Sequence, residues 1–261
     1  MALALPHINM LVSLKNQGVD KIIPVTSMME FGEQNWYGDV APEELYKIID
    51  HFYSGAKAKK LSTELAEILF SEGEEKIFSI AKFFYKLIFD YKKYSAIDLH
   101  GTSVAKKFDL NNQIEVDRQY DLVTNLGTSE HVFNQYQFFK NMHDCTKPGG
   151  LMIHSLPNQG CYDHGFFNYH PTFFFDICEA NQYEPIGIFY VDATQNPAQA
   201  ENIDRVSYVK MAIEGKLSNY SGIMAFFQKS KKESTFATPI QGYYDNKLPP
   251  ELAEAWNKLP R

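Results

Sequence analysis

Cysteine is scarce in this chain. There are three in 261 residues, Cys145, Cys161 and Cys178. The number is odd and the spacing fits no metal motif, so free thiols in a reducing cytoplasm are expected, and no metal site. Basic charge is also short. Lys and Arg total 25 against 32 Asp and Glu, a net charge of −7. The only basic runs, residues 57–60 and 229–232, are brief. A nucleic-acid binder needs a basic patch, and none stands out. Long apolar runs are missing too. Lys82 and Lys86 interrupt residues 77–89, so no membrane span is expected. No charged segment leads into an apolar core at the start, so no secretory signal is expected. The fingerprint G-x-G-x-x-G is absent, and Gly32 stands alone after the first apolar run.

What remains is ordinary for a globular chain: 44% hydrophobic, 22% charged and a high 15% aromatic. That suffices for one large α/β domain, or for one domain with an insertion. We read residues 1–261 as a single domain with no internal repeat. Residues 120–126 form an apolar run ending in small and polar residues, as a buried strand does when it opens onto a site. Residues 147–150, Lys-Pro-Gly-Gly, read as a turn before a second apolar run. Residues 133–146 between them are long enough for a helix. Strand, helix, strand implies a parallel sheet, whose ligands bind at the carboxyl ends of the strands.

Upstream, residues 1–20 predict a helix stopped at Gly18, and residues 21–31 a first strand. Residues 42–52, 62–70 and 74–91 predict three helices, with Pro42 in the first turn of one and Ser62 capping another. Residues 35–93 therefore read as a helical insertion, serving as a lid or dimer contact or packing on a sheet face. Residues 94–99 predict the second strand and residues 105–110 a short third. Pro171 starts a helix running to about Gln182. Residues 186–191 and 221–227 are further strands. The tail, residues 235–261, is polar and contains proline, with a short helix over residues 252–259.

"YDLVTNLGTSEHV" followed by "KPGGLMIHSLP" resembles the fourth- and fifth-strand motifs of class I S-adenosylmethionine-dependent methyltransferases. The resemblance runs over about residues 21–229. It implies a Rossmann-like, doubly wound sheet of seven strands closed by an antiparallel hairpin, with S-adenosylmethionine as cofactor. The end of the first strand, Glu30-Phe31-Gly32-Glu33-Gln34, resembles the family's first motif, with Gln34 and Trp36 where further glycines would stand. By that resemblance Glu30, Gly32 and Gln34 line the cofactor. Asp98 holds its ribose beside Leu99. Asp109 meets the adenine beside Leu110, and Asn125, Leu126, Gly127 and Thr128 run along its other side.

For the acceptor, the resemblance implies a small-molecule substrate. "HGFFNYHPTFFFDICEANQYE" is similar to a stretch in methyltransferases of bacterial surface-polysaccharide genes, some of them associated with capsule phosphoramidate. That implies O-methylation of a small polar or anionic metabolite, a sugar or a phosphoramidate intermediate of capsule biosynthesis. His131 and His164 are the candidate bases, because imidazole titrates near neutral pH. Glu130, His154, Tyr162, Asp163 and Asn168 are candidate substrate contacts. Two other classes stay open: a nicotinamide-dependent enzyme on a similar sheet, and a non-catalytic methyltransferase-like partner subunit. A homodimer is the expected assembly if the insertion is a contact surface.

Overall fold

A computed structural model of the chain describes residues 2–245, 248, 250–256, 258 and 259. Contacts cluster into two compact units, residues 1–109 and residues 110–261. The first unit opens with β1 (Ala2–Leu3), α1 (Leu5–Asn16) and α2 (Val19–Ile22). Next come β2 (Ser27–Phe31) and β3 (Asn35–Trp36), then α3 (Leu45–Phe52), α4 (Gly55–Phe70) and α5 (Lys76–Phe89). It ends with β4 (Lys93–Ile97) and β5 (Ala105–Lys106). Strands β5, β4 and β2 are parallel neighbours in that order, and β1 pairs with β3.

Every residue of β2 is buried, Ser27 and Glu30 included, so the strand shows no alternation of buried and exposed positions. Helix α5 buries eight residues, among them Phe84, whose ring meets Trp36 edge to face at 5.8 Å. Helix α4 starts seven residues before the predicted cap. Ser62 lies in its interior, and Ser54 occupies the extended cap position. The Ala and Lys residues between them are good helix formers and carry the helix back through Gly55. The third strand is shorter than expected. Beyond Lys106 the sequence turns polar, so Asp109 lies past the strand end.

The second unit holds β6 (Tyr120–Leu126), α6 (Gln135–Cys145), β7 (Thr146–Gln159) and α7 (Pro171–Asn181). It continues with β8 (Glu184–Asp192), β9 (Gln199–Asn202), α8 (Arg205–Ile213), β10 (Ser221–Gln228) and α9 (Pro250–Trp256). Strands β6 and β7 are parallel, while β10 runs antiparallel to both β7 and β8. The antiparallel closing pair is as expected. The Lys-Pro-Gly-Gly stretch is not a separate turn: it lies inside β7, where the register against β6 shifts between Tyr120 and Leu122. Strand β9 adds a third antiparallel pairing among the described residues, at the β8 edge. Among the described residues the sheet strands thus number eight, three in the first unit and five in the second, against the seven expected.

Helix α8 also escaped the sequence reading. Its start is fixed by a capping box. Ser207 N–H donates to Asp204 Oδ1 at 2.7 Å, and Asp204 N–H finds Ser207 Oγ at 2.9 Å. Among the described residues no helix is long and apolar enough to cross a membrane.

At the end of β7 the chain turns at Gly160, φ 84°. A Cβ there would stand 2.2 Å from the Asn219 carbonyl oxygen. Gly160→Ala should therefore cost about 1–3 kcal/mol of stability, since strain at positive φ adds to a backbone clash. Denaturant unfolding should show a lower midpoint at unchanged slope. A midpoint equal to wild type would show that the turn is not constrained as described.

Candidate active site

In the first unit the chain leaves β2 through Gly32, at φ 85°. The Gly32 amide donates to the Ile97 carbonyl at 2.7 Å, which ties the strand end to β4. Gln34 is buried, and its side-chain amide folds back onto the Gly32 carbonyl at 3.1 Å. Trp36, where the resemblance would place another glycine, is buried and donates from Nε1 to the Val40 carbonyl at 2.7 Å. Glu33 accepts from Thr102 N–H at 2.6 Å and Thr102 Oγ1 at 2.9 Å, and pairs with Lys82 at 2.6 Å. This network folds the loop after β4 into shape, and the sequence reading passed over Glu33 and Thr102. The only sequence signal was an acid beside a glycine.

Asp98 is half-buried at the end of β4. Its carboxylate accepts from Glu33 N–H at 3.0 Å and His100 N–H at 2.7 Å, so two backbone amides orient it. Leu99 is exposed beside it and Asp109 is exposed further on. Glu30 is fully buried. It accepts from the Tyr94 hydroxyl and from Gln34 N–H at 3.1 Å. Burial pushes its carboxyl up to about 7, and the Tyr94 bond opposes that shift.

The second unit carries the other candidates. Leu110 opens it and is buried. Asn125, next to last in β6, is fully buried, so its side chain cannot lie on an open surface. Its amide donates to Ser129 Oγ at 3.0 Å, and its carbonyl accepts from Ser129 N–H at 3.1 Å. Leu126 and Thr128 are buried, and Gly127 N–H donates to the Ser155 carbonyl at 2.9 Å. Gln135 holds the turn from its other end, donating to the Ser129 carbonyl at 2.7 Å. The tight turn of residues 129–131 that results places Glu130 1% exposed.

Around Glu130 two predicted histidines converge. His164 Nε2 lies 3.5 Å and His131 Nε2 3.9 Å from Glu130 Oε1, and the two rings are 5.0 Å apart. Both imidazoles are exposed. Among the described residues Glu130 Oε2 is buried without a hydrogen-bond partner. Burial pushes this carboxyl up to about 7, and partial burial, then the neighbouring His164, pulls His131 down. The loop after β7 is tied to the same residue: Phe166 N–H donates to the Glu130 carbonyl at 2.7 Å. A Cβ on Gly165 would stand 2.8 Å from that carbonyl oxygen, so only glycine lets the loop come this close.

Not every candidate is at this site. His154, expected at the rim, points into the core among Phe139, Phe174 and Phe227, with Asn125 Nδ2 at 3.2 Å. Burial holds its pKa down at about 3, so it stays neutral and structural. Residues 150–154 of β7 are all buried, so the strand is covered on both faces and a side chain at position 154 lands in the core whichever side it takes. Tyr162, Asp163 and Asn168 are exposed on the loop. A cavity of about 850 Å³ lies behind that loop, lined among others by Gln135, Tyr169, Phe173, Asp176, Arg205 and Tyr208. An Arg205–Asp176 ion pair stands in its wall. The sequence reading missed it because α8, which carries Arg205, was not predicted.

Glu30 generates a pH prediction. The unfolded carboxyl loses its proton near 4.5 and the folded one near 7. Between these values the folded state binds more protons, so stability falls as pH rises and levels off above about 7. The loss is on the order of 3 kcal/mol for this group. Glu30→Gln should remove that fall. Chemical denaturation of both proteins from pH 4 to 8 checks it, and parallel curves would contradict it.

The sequence matches the family model described as methyltransferase domain over residues 73–210. The match takes in Asp98, Asp109, the turn at Glu130 and the loop with His164, and begins after the Gly32 turn. No curated protein matches the chain. Among solved structures the chain is similar to the N-methyltransferase NodS from Bradyrhizobium japonicum WM9, at 12% identity and TM-score 0.44, covering 86% of this chain and 95% of that one. It is also similar to the StiE O-methyltransferase region, at 13% identity and TM-score 0.42, covering 96% and 80%. A putative methyltransferase from Bacillus halodurans C-125 shows 11% identity and TM-score 0.39, covering 66% and 99%. With more than half of its length matched by one family model, the chain belongs to the methyltransferase-domain family.

Proposed function

We propose that this methyltransferase transfers the methyl group of S-adenosylmethionine to an oxygen of a small polar or anionic acceptor, with the acceptor received at Glu130, His131 and His164. S-adenosylmethionine is the methyl donor, and family membership replaces the nicotinamide alternative. The observation that carries the acceptor assignment is the convergence of two exposed imidazoles on one buried carboxylate at the carboxyl end of β6.

For the donor, Asp98 is the ribose acceptor in this reading. Its two backbone bonds fix the carboxylate while oxygen lone pairs remain for a diol. Gly32 lies against the cofactor, Glu30 and Gln34 shape the turn that meets it, and Leu99, Asp109 and Leu110 fall on its adenine side. Asn125 to Thr128 act mainly through the backbone, since the Asn125 side chain is spent on the turn. A sulfonium methyl already has a good leaving group. Holding donor and acceptor in line supplies roughly 7–11 kcal/mol, and a base adds about 10²–10⁴-fold. His131 is the first choice as base or acceptor-binding group and His164 the second. His131 comes first because it closes the fourth-strand motif.

Tyr162, Asp163 and Asn168 offer polar groups on the adjoining loop, which supports a polar acceptor. A sugar or a phosphoramidate-type intermediate of capsule biosynthesis is the acceptor class we assign, on the sequence similarity of residues 164–184. The enzyme is assigned to the cytoplasm, where its three thiols stay reduced.

The second reading, a non-catalytic partner subunit, draws on Gln34 and Trp36 in place of glycines. Calorimetry with S-adenosylhomocysteine, S-adenosylmethionine and NAD separates the readings. Saturable binding of the first two alone is expected, and Asp98→Ala should weaken it by about 1.5–3 kcal/mol. No binding of either would favour the partner subunit. With an acceptor in hand, His131→Ala and His164→Ala should leave S-adenosylhomocysteine affinity within about twofold and lower kcat by roughly 10²-fold or more. Wild-type turnover in both would move the acceptor site elsewhere.

A further inference from the structure

We infer that Glu130, His131 and His164 form a binding site for a divalent transition metal ion such as Zn²⁺ or Co²⁺. One oxygen of Glu130 and one ring nitrogen from each histidine lie within 4.8 Å of one another. Metal–ligand lengths near 2.1 Å set tetrahedral ligand atoms about 3.4 Å apart. His164 Nε2 is already at 3.5 Å from Glu130 Oε1, and His131 Nε2 at 3.9 Å needs a shift of about half an ångström. Both rings are exposed, so a small rotation has room.

The second observation is independent of that spacing. Glu130 is 1% exposed, and among the described residues its Oε2 is buried with no hydrogen-bond partner. A buried carboxylate without a partner is costly, and a cation is the usual remedy. Among the described residues the ion pairs recorded for Glu130 are those with His131 and His164 and no lysine or arginine. Two imidazoles and one carboxylate suit Zn²⁺ or Co²⁺ rather than Mg²⁺ or Ca²⁺, which prefer oxygen. The carboxylate sits inside and the rings outside, so the remaining coordination positions face solvent. Such a site takes an acceptor's oxygen directly.

The role in catalysis rests on the acceptor-site reading above; the binding does not. With the ion bound, the histidines become ligands. The coordinated acceptor hydroxyl then gives its proton to water, because the cation lowers its pKa. Its oxygen forms the bond to the methyl carbon as the carbon–sulfur bond breaks, and the sulfonium leaves as a neutral thioether.

The test uses the full chain, stripped with chelator and titrated with Co²⁺ alone, followed by visible absorption and calorimetry. One ion per chain is expected, with absorption bands of a low-coordinate nitrogen and oxygen site. His164→Ala and His131→Ala, both exposed positions that should fold, should each weaken binding by at least about tenfold. Glu130→Gln should do the same, with circular dichroism checking that it folds. No binding to wild type, or equal binding to all variants, overturns the metal site. Chelated wild type that still methylates at full rate, alongside slow histidine variants, overturns the metal's role and leaves the base reading standing. Loss of S-adenosylhomocysteine binding would instead count against the methyltransferase reading.

Discussion

The candidate acceptor site depends on how Asn125 is used. A buried amide at a strand end must find partners or pay a desolvation cost of about 1–3 kcal/mol. Asn125 finds them in Ser129, giving one bond to the hydroxyl and taking one from the backbone N–H. That reciprocal pair bends the chain into a tight turn directly after β6. Gln135 grips the same turn from the first residue of α6. Glu130 is driven inward as a consequence, while His131, the next residue, stays outside.

The loop after β7 then attaches to this turn rather than to the sheet. Phe166 donates to the Glu130 carbonyl, Gly165 makes room for that approach, and Tyr169 bonds Gln135. His164 is delivered to Glu130 by this chain of contacts, across a long gap in sequence. The carboxylate is thus flanked by two rings, one from each segment. Its raised pKa and its partnerless oxygen are both results of the burial that the turn imposes.

Much of the framework was legible in the sequence. Residues 120–126 and 151–157 announced two strands through apolar runs bounded by turn residues, and both are strands. Pro171 announced α7. The convergence of His131 and His164 was legible only as topology, because both follow strands of one parallel pair. The misses have physical causes. Ser62 looked like a cap, yet the Ala and Lys residues before it continue the helix, and propensity outweighed a hydroxyl. Helix α8 lacks a clear apolar period, and its capping box, Asp204 with Ser207, is polar and short. His154 looked like an acceptor contact because it is a histidine on β7, but both faces of that strand are covered over residues 150–154. Glu33 and Thr102 act on each other across 69 residues, a separation that no local pattern records.

The claim that one buried amide sets up the acceptor site is open to a direct measurement. Amide hydrogen exchange of Asn125→Ala against wild type reads the turn and the loop separately. The account predicts lost protection at His131, Val132 and Phe166, with the Gly32 amide, which donates to Ile97 in the first unit, unchanged. Protection lost at the turn but kept at Phe166 would show that the loop holds its place without the turn, and would contradict the account.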